Sequence, residues 1–381
     1  MKIVHIADTH LGLAGFNRID PETGMNLREK LIYDNFLESM KVIVRQKPDA
    51  VVHAGDLFDR VKPRTHAYIA VMSALNMLEE AGIPLILISG NHSMPKTRYT
   101  PSPFEVLRYH SHSAEVHCAY KYRYEKKEVG DTTFHLIPNM LRASDYRNAF
   151  NEIEIGPDTS NVMVTHGLAT TLRDYRLRTV AEHEIDSTML SEDFSYIALG
   201  HFHGQKQVAE NAWYSGSIEY CSYNEIHDKK GGLVVDTESG EVTPLKLPHM
   251  AMTDLGKIDC GTLTPSEITE KIASIIDRME DPADAICQVR LENVLREKMR
   301  SINREEMTAI KNRVLNLRIT TDTIDPVNRG FEADDPSSVD YVEEFRKFVK
   351  IQGLEGSLEE EVIKTGTGIF KTVLEKHGEA E

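Results

Sequence analysis

Histidine and carboxylate side chains follow several apolar runs of the sequence at the point where each run ends. The opening run, residues 2–8, ends at Asp8, and His10 follows two residues later; the run 196–203 closes with His201 and His203. Side chains alternate along an extended chain, so we expect each of these pairs to face one point. The polar groups at the ends of such runs are Asp8, His10, Asp56, Asn91, His92, His166, His201 and His203.

These residue types are suited to binding metal ions. Mn²⁺, Fe²⁺ and Zn²⁺ accept imidazole together with carboxylate, whereas Mg²⁺ and Ca²⁺ prefer oxygen ligands. Two ions about 3.5–4 Å apart need a bridging anion, and together they activate water and stabilise both oxygens of a phosphoryl displacement. An isolated histidine or aspartate at a strand end is usually structural. Polar groups at five strand ends instead favour a dinuclear site.

The elements that must position these groups alternate along the first part of the chain. Residues 2–8, 50–56 and 84–92 are short runs rich in Val and Ile, which predicts central strands. The segments 27–46 and 65–82 between them have apolar residues at helical spacing. A β-α-β-α-β pattern predicts a parallel sheet, whose strand ends border a ligand crevice.

Further patterns divide the chain into four parts. Apolar runs at 133–139, 161–167 and 196–203 and a hairpin at 231–247 complete a two-sheet α/β sandwich over residues 1–248. A small α+β domain is predicted at 249–322, with helices opening at Thr264 and Asn303. An acidic, Pro-containing linker (323–337) precedes two short amphipathic helices (338–378), of which the second is predicted to start at a Ser357–Glu360 capping box.

The composition is that of an ordinary soluble chain. It has 381 residues and a net charge of −16, without any run of about 18 apolar residues, so we expect no membrane segment or secretory signal and a cytoplasmic location. The acidic balance disfavours a broad surface for nucleic acid, but bound divalent cations would offset it locally. The four cysteines lack C-x-x-C spacing, which argues against a zinc finger or a disulfide framework.

The motifs together resemble a known superfamily. They are "D-x-H" (8–10), "GD-x-x-D" (55–59), "GNH" (90–92), "THG" (165–167) and "GHFH" (200–203), and in this order they resemble the calcineurin-like metallophosphoesterases. The stretches "HIADTHLG" (5–12) and "YSGSIEY" (214–220) are more similar to one branch, the SbcD-like nuclease subunit of DNA double-strand-break repair complexes. The resemblance implies a metallophosphoesterase sandwich with a DNA-binding capping domain at 249–322.

The resemblance also implies a role for each site residue. Asp8, His10, Asp56 and His203 would hold one metal ion, and Asp56, Asn91, His166 and His201 the other, with Asp56 bridging. His92 matches the catalytic histidine, which would stabilise the transition-state phosphate or protonate the leaving oxygen. Two positions depart from the pattern: the residue after "GNH" is commonly acidic but is Ser93 here, and Asp59 stands where some repair nucleases have histidine.

The expected function is therefore a DNA nuclease with two Mn²⁺ ions per subunit. It would act on DNA ends and single-stranded DNA, as a duplex exonuclease and single-strand endonuclease, with a coiled-coil ABC-type ATPase as partner. Basic clusters favour a DNA substrate; they are Arg60/Lys62/Arg64, Lys96/Arg98, Arg173/Arg176/Arg178 and Arg296/Lys298/Arg300. A phosphodiesterase or phosphatase not specific for DNA remains the alternative, and a scaffold without metals is a third class, although no ligand position has decayed.

Two surfaces are predicted to bind other chains. Apolar residues are spread around much of helix 65–82, so we expect it to be buried on more than one side, and the resemblance implies a homodimer through this helix and residues 102–109. The C-terminal helices have an apolar stripe that includes Val342, Phe345, Phe348 and Val349. Such helices after an acidic linker suggest an element that binds a partner, and the resemblance implies that this partner is the ATPase; packing on their own domain is the alternative.

Overall fold

Two mixed six-stranded sheets contain the strands that carry the motif residues. The computed structural model describes residues 1–97, 99–109, 116–156, 159–175, 184–324, 341–352 and 356–378. The first sheet has the order β14-β13-β1-β2-β3-β4, and its strands are β1 (Lys2–Ile6), β2 (Ala50–His53), β3 (Leu85–Ile88), β4 (Val116–Ala119), β13 (Gly232–Asp236) and β14 (Val242–Leu245). The expected parallel pairing of β1, β2 and β3 is confirmed, and β13 and β14 form the expected antiparallel hairpin.

The second sheet has the order β11-β12-β10-β7-β6-β5. Its strands are β5 (Glu125–Val129), β6 (Thr132–Ile137), β7 (Ser160–His166), β10 (Tyr196–Gly200), β11 (Lys206–Ala209) and β12 (Ala212–Tyr214); β8 (Leu168–Ala169) and β9 (Glu184–Ile185) pair separately. The pattern predicted β6, β7 and β10 but missed β5, β11 and β12. β5 and β11 contain charged or polar residues, and β12 has only three residues, which leaves little periodic signal.

The two sheets pack face to face through a core of mostly aliphatic side chains. Val52 of β2 and Ile86 of β3 lie in one cluster with Phe134 of β6 and Ala198 of β10, all fully buried. The helices α1 (Leu27–Arg45) and α2 (Thr65–Glu80) cover the outer face of the first sheet, and α3 (Ala143–Asn151) belongs to the core on the outer face of the second. The result is the predicted α/β sandwich.

A three-stranded sheet follows the sandwich. Its order is β15-β16-β17, with β15 (Met252–Asp259), β16 (Ile286–Leu295) and β17 (Asn316–Ile324), and its helices are α4 (Pro265–Ile276), α5 (Arg296–Arg300) and α6 (Arg304–Lys311). The capping box at Thr264 is confirmed, because Thr264 and Glu267 exchange hydrogen bonds through their side chains and backbone N–H groups. Asn303 caps α6, whereas Glu306 accepts a hydrogen bond from Thr269 instead of completing a box.

Two helices end the described chain, α7 (Tyr341–Ile351) and α8 (Gly356–Gly378). The prediction that both are short is wrong for α8, which runs for 23 residues. Ser357 lies inside α8 because the helix begins at Gly356, so it does not cap it. The predicted linker from residue 325 onward and Val339 lie outside the described residues.

The contacts divide the chain into two compact units. One comprises residues 1–292 and 301–321, and the other comprises residues 293–300 with the described part of 322–381. The domain boundaries at 248, 322 and 337 stay a prediction. No helix in the described part of the chain combines the length and apolarity needed to cross a bilayer.

Candidate metal centre

The motif residues reach the sheet edge through backbone turns, because the chain leaves the extended conformation directly after each strand. Asp8 and Asp56 have φ of 52°, His10 has φ of 44° and His201 has φ of 99°. The expectation that these residues alternate along an extended chain is therefore wrong. Instead, the Asp8 N–H donates to the Gly55 carbonyl (3.0 Å) and the His10 N–H to the Asp56 carbonyl (3.0 Å), which joins the two loops.

Asp8, His10 and His203 converge at one place, which we call position one. The ligand atoms of Asp8, His10 and Asp56 lie within 4.8 Å of one another. The Nε2 atoms of His10 and His203 are 3.2 Å apart. The side chain of Asp8 is fully buried, and both its oxygens lie 3.0 Å from the backbone N–H of His201.

Asn91, His166 and His201 converge at a second place, position two. Asn91 Oδ1 lies 2.9 Å from His166 Nε2 and 3.2 Å from His201 Nδ1. His166 Nε2 is also 3.2 Å from Asp56 Oδ2. The ligand atoms of Asp56, His166 and His201 lie within 4.8 Å of one another, so Asp56 is shared by both positions. His201 and His203 thus face different positions.

Two glycines of the motifs allow this close approach. A Cβ added at Gly55 would overlap the His166 ring, and Gly55 also has φ of +99°, which favours glycine. A Cβ added at Gly90 would overlap the Asp56 carboxylate and its backbone nitrogen. The "GD" and "GNH" motifs therefore combine candidate ligands with the space that these ligands need.

The hydrogen bond between His166 and a backbone carbonyl leaves the lone pair of this histidine facing other acceptor atoms. The Ala54 carbonyl can only accept, so the Nδ1 of His166 donates to it (2.9 Å) and the Nε2 of neutral His166 carries a lone pair. That lone pair faces oxygens of Asp56 and Asn91, which are acceptors as well. Acceptor atoms that converge in this way require a positive charge between them. These atoms therefore fit the ligand set of a metal ion.

The pKa values express the same demand for positive charge. Burial by itself lowers the pKa of His166, but the carboxylates of Asp56 and Asp8 outweigh it and raise the pKa to about 9. The pKa of Asp56 is lowered, because His166 and His10 outweigh the effect of burial. Burial and the neighbouring His166 lower the pKa of His201 to about 3, so this ring is neutral at physiological pH, as a metal ligand must be.

His92 lies beside position one but faces outward. Its ring is 4.7 Å from that of His10, centroid to centroid, and the residue is exposed. Its Nδ1 donates to the Asp59 carbonyl (3.0 Å), and its backbone N–H donates to Asp56 Oδ1 (2.9 Å). The Nε2 atom is therefore the ring nitrogen available to an approaching substrate.

The sequence patterns missed three residues near position one. Glu225 Oε1 accepts from His203 Nδ1 (2.9 Å), and Lys230 Nζ donates to Glu225 Oε2 (2.7 Å). Cys221 has its sulfur within 4.8 Å of the ligand atoms of His10 and His203, and burial raises its pKa to about 12. The pattern Ser222-x-x-Glu225 reads as a capping box, which it also forms, so it gave no sign of a contact with His203.

The two departures from the family pattern have different surroundings. Asp59 Oδ1 lies 3.7 Å from His10 Nδ1, so this carboxylate faces the outer nitrogen of a candidate ligand. Ser93 is fully buried, and its hydroxyl has no hydrogen-bond partner in the described part of the chain. Asp59 thus supports position one, whereas Ser93 lies outside both positions.

Two arginines of the first basic cluster are paired with acidic residues. Arg60 forms an ion pair with Asp59 (3.3 Å), and Arg64 is hydrogen-bonded to the buried Glu29. Arg98, Arg176 and Arg178 lie outside the described residues, and so does the side chain of Arg173.

The fold and the convergent donors define a class of protein. The family model for calcineurin-like phosphoesterases matches residues 1–205, which is more than half of the chain, and the chain belongs to this family. Family members bind a dinuclear metal site, and the two positions that share Asp56 agree with this.

The chain is also similar to curated proteins of known name. Among them are three proteins named DNA double-strand break repair protein Mre11. The chain is 29% identical to the one from Methanococcus maripaludis over 61% of this chain and 61% of that protein, and 29% identical to the one from Methanocaldococcus jannaschii over 71% and 70%. It is 26% identical to the one from Sulfurisphaera tokodaii over 79% and 78%. The match with the M. maripaludis protein thus spans less than two thirds of that relative's length.

Proposed function

We propose that the protein is a dinuclear-metal DNA nuclease that processes DNA ends in double-strand-break repair. The observation that carries this proposal is the convergence of seven candidate ligands on two positions that share Asp56. The similarity to proteins named for DNA double-strand break repair favours DNA as the substrate.

The proposed ligands follow the two positions. Asp8, His10 and His203 would hold one ion and Asn91, His166 and His201 the other, with Asp56 between them. When bound, two Mn²⁺ ions would activate a water molecule and stabilise the negative charge of the phosphodiester in the transition state. The hydrogen bonds from His166 to Ala54 and from His203 to Glu225 orient the rings before any ion arrives.

His92 is proposed as the catalytic residue that acts on the substrate itself. Its backbone N–H and its Nδ1 are both anchored, which fixes the ring at the exposed side of the centre. Nε2 would contact the scissile phosphate or deliver a proton to the leaving oxygen. Because the ring is exposed, a DNA strand can reach it without opening the fold.

The test is cleavage of end-labelled duplex and single-stranded DNA in Mn²⁺ or Mg²⁺, with and without the cognate ATPase. We expect Mn²⁺-dependent cleavage by the chain itself, with a duplex exonuclease and a single-strand endonuclease activity. Asp56→Asn serves as the inactive control, because it removes the shared carboxylate. Absence of cleavage of either DNA in Mn²⁺, with or without the ATPase, would contradict the proposal.

A phosphodiesterase that is not specific for DNA is the alternative, favoured by the pairing of Arg60 and Arg64 with acidic residues. A chromogenic phosphodiester separates the two. Efficient hydrolysis of that compound together with no cleavage of DNA would favour the alternative. Competition by unlabelled DNA against the chromogenic compound would favour the nuclease.

We also propose that the C-terminal helices bind the coiled-coil ATPase. In α7, Val349 is buried and Phe345 packs against Gly366 of α8, so half of the predicted stripe is already covered. Phe348 is 53% exposed, and Leu358 and Ile369 of α8 are 50% and 61% exposed. These three side chains supply the apolar contact that a partner would bury.

Truncation after Asp325 should abolish co-purification with the ATPase and leave Mn²⁺-dependent cleavage of single-stranded DNA intact. Phe348→Ser should weaken the complex in the full chain, with Arg346→Ser on the same helix as the matched control. Loss of intrinsic cleavage or unfolding after truncation would assign the helices to the catalytic unit.

A homodimer through α2 is the last part of the proposal. One face of α2 is buried at Ala67, Ala70 and Leu75, but Ile69 on the other face is 56% exposed. Val106, in the adjacent helical turn Pro103–Tyr109, is 42% exposed. Light scattering should give a dimer that Ile69→Glu dissociates; a monomer at micromolar concentration would contradict this.

A further inference from the structure

A buried ion pair lies directly behind position one. Glu225 and Lys230 are joined at 2.7 Å, and their side chains are only 10% and 0% exposed. Glu225 also accepts from the Nδ1 of His203 at 2.9 Å. A lysine, a carboxylate and a candidate metal ligand thus form one continuous chain of hydrogen bonds.

All side-chain polar atoms of Glu225 and Lys230 have hydrogen-bond partners. Lys230 Nζ also donates to the His203 carbonyl (3.0 Å) and to Ser217 Oγ (2.8 Å). The two oxygens of Glu225 accept from the backbone N–H groups of Ser222 (3.0 Å) and Cys221 (2.9 Å). His203 is therefore held twice, at its ring through Glu225 and at its backbone through Lys230.

Stability alone gives a weak reason for such a pair. Removing two charges from water costs several kcal/mol per ion, and the attraction between them often does no more than offset this cost. A buried pair with full hydrogen bonding that ends on a candidate ligand is better explained by what it does to that ligand.

The effect on His203 follows from the chemistry of the contact. A carboxylate that is an acceptor fixes the proton on Nδ1, which leaves the lone pair on Nε2, the atom that faces His10. The pKa of Glu225 is held low, because His203 and Lys230 outweigh the effect of its burial. Lys230 balances the charge of Glu225, so the carboxylate is not left with the imidazole as its only polar side-chain partner.

We propose that Glu225 and Lys230 are positioning residues that set the metal affinity of position one through the orientation and tautomer of His203. This inference rests on the proposed metal centre. At position two a backbone group orients the histidine instead, since the Nδ1 of His166 donates to the carbonyl of Ala54. Substitution of Glu225 or Lys230 should therefore weaken one of two metal sites and spare the other.

The experiment is a calorimetric titration of the full chain with Mn²⁺ in the absence of DNA. The unsubstituted protein should bind two ions. Glu225→Gln and Lys230→Met should each lower the affinity of one site by about 10–100-fold. Glu225→Asp, which keeps the carboxylate, should recover part of the loss. His201→Ala, which removes a candidate ligand from position two, identifies which step of the titration belongs to position one.

Glu219→Gln is the matched control. Glu219 is a buried carboxylate in the same loop, but it accepts from Asn35 and from the Met250 backbone and touches no candidate ligand. We expect it to leave both affinities unchanged. Thermal unfolding in the presence of chelator measures any effect of each variant on the apo fold.

Unchanged affinities in Glu225→Gln and Lys230→Met would overturn the inference. Equal loss at both sites together with a lower apo unfolding temperature would also overturn it, because the pair would then support the fold in general. A protein that binds two ions, loses one selectively in Glu225→Gln and cleaves no DNA would leave the inference standing and refute the nuclease. Failure of the unsubstituted protein to bind Mn²⁺ would refute both.

Discussion

The two candidate metal positions differ in what holds their histidines. At position two, a backbone carbonyl in the loop that follows β2 accepts a hydrogen bond from His166. At position one, side chains hold the histidines: Glu225 accepts from His203, and Asp59 faces His10. A backbone contact survives substitution, whereas a side-chain contact does not. Substitution of a neighbouring side chain can therefore change how His203 and His10 are held, whereas the contact that holds His166 belongs to the backbone.

Asp56→Asn should have the largest effect, because it should weaken metal binding at both positions instead of at one. Asp56 is 1% exposed and shares its oxygens between the two groups. Loss of several kcal/mol of metal-derived stabilisation corresponds to a fall in the cleavage rate of roughly 10³-fold or more. Calorimetry with Mn²⁺ and a DNA cleavage assay measure this. Asp49→Asn, distant from the centre at the start of β2, is the control, and near-normal cleavage by Asp56→Asn would disprove the shared role.

His92→Ser should affect neither position yet lower the rate of cleavage by about 10²–10⁴-fold, the usual contribution of a general acid. The backbone N–H of residue 92 still donates to Asp56 after the substitution, so metal binding is retained. Rapid-quench cleavage and calorimetry separate the two properties. His66→Ser, at an exposed histidine of α2, is the matched variant. Loss of a metal ion from His92→Ser would make this residue a ligand.

Glu219→Gln tests whether the loop behind position one is sensitive to pH. Burial raises the pKa of Glu219 to about 7 from an ordinary value of 4.5. The folded state therefore binds more protons between these values, so its stability falls as pH rises through this window, by up to about 3 kcal/mol. In Glu219→Gln this dependence should disappear, and the variant should be the more stable protein at pH 8. Thermal unfolding in chelator from pH 5 to 8 checks this; parallel curves for both proteins would contradict it.

Asp59→Asn should have the smallest effect and should sharpen the comparison. It weakens the partner of His10 but keeps the backbone carbonyl that accepts from His92. We expect about a tenfold loss of Mn²⁺ affinity, confined to position one. A calorimetric titration beside Glu225→Gln shows whether the two losses fall on the same step. A loss at position two would mean that the positions are not independent.

Much of the fold could be predicted from the sequence, because apolar runs and helical spacing are local patterns. Apolar runs identified β1, β2 and β3, and helical spacing placed α1 and α2 within two residues of their ends. The edge strands β4 and β5 left no such signal. The second C-terminal helix was expected to be short and to start at a Ser357–Glu360 capping box, but α8 begins at Gly356 and runs for 23 residues.

The sequence by itself determined which residues gather at the sheet edge. Parallel strands present their carboxyl ends on one side, so polar groups that follow Ile6, His53 and Ile88 must meet there. The glycines of the motifs, such as Gly55 and Gly90, supply the space beside them.

Only the tertiary structure decided how these residues are held. His10 and His203 are separated by 193 positions in the chain, and their facing nitrogens follow from the packing of one sheet on the other. The spacing of Ser222 and Glu225 fits a helix cap, and no local pattern connects Glu225 or Lys230 with His203. Their contact with His203 depends on how a loop after the second sheet returns to its edge, a long-range arrangement that no local periodicity encodes.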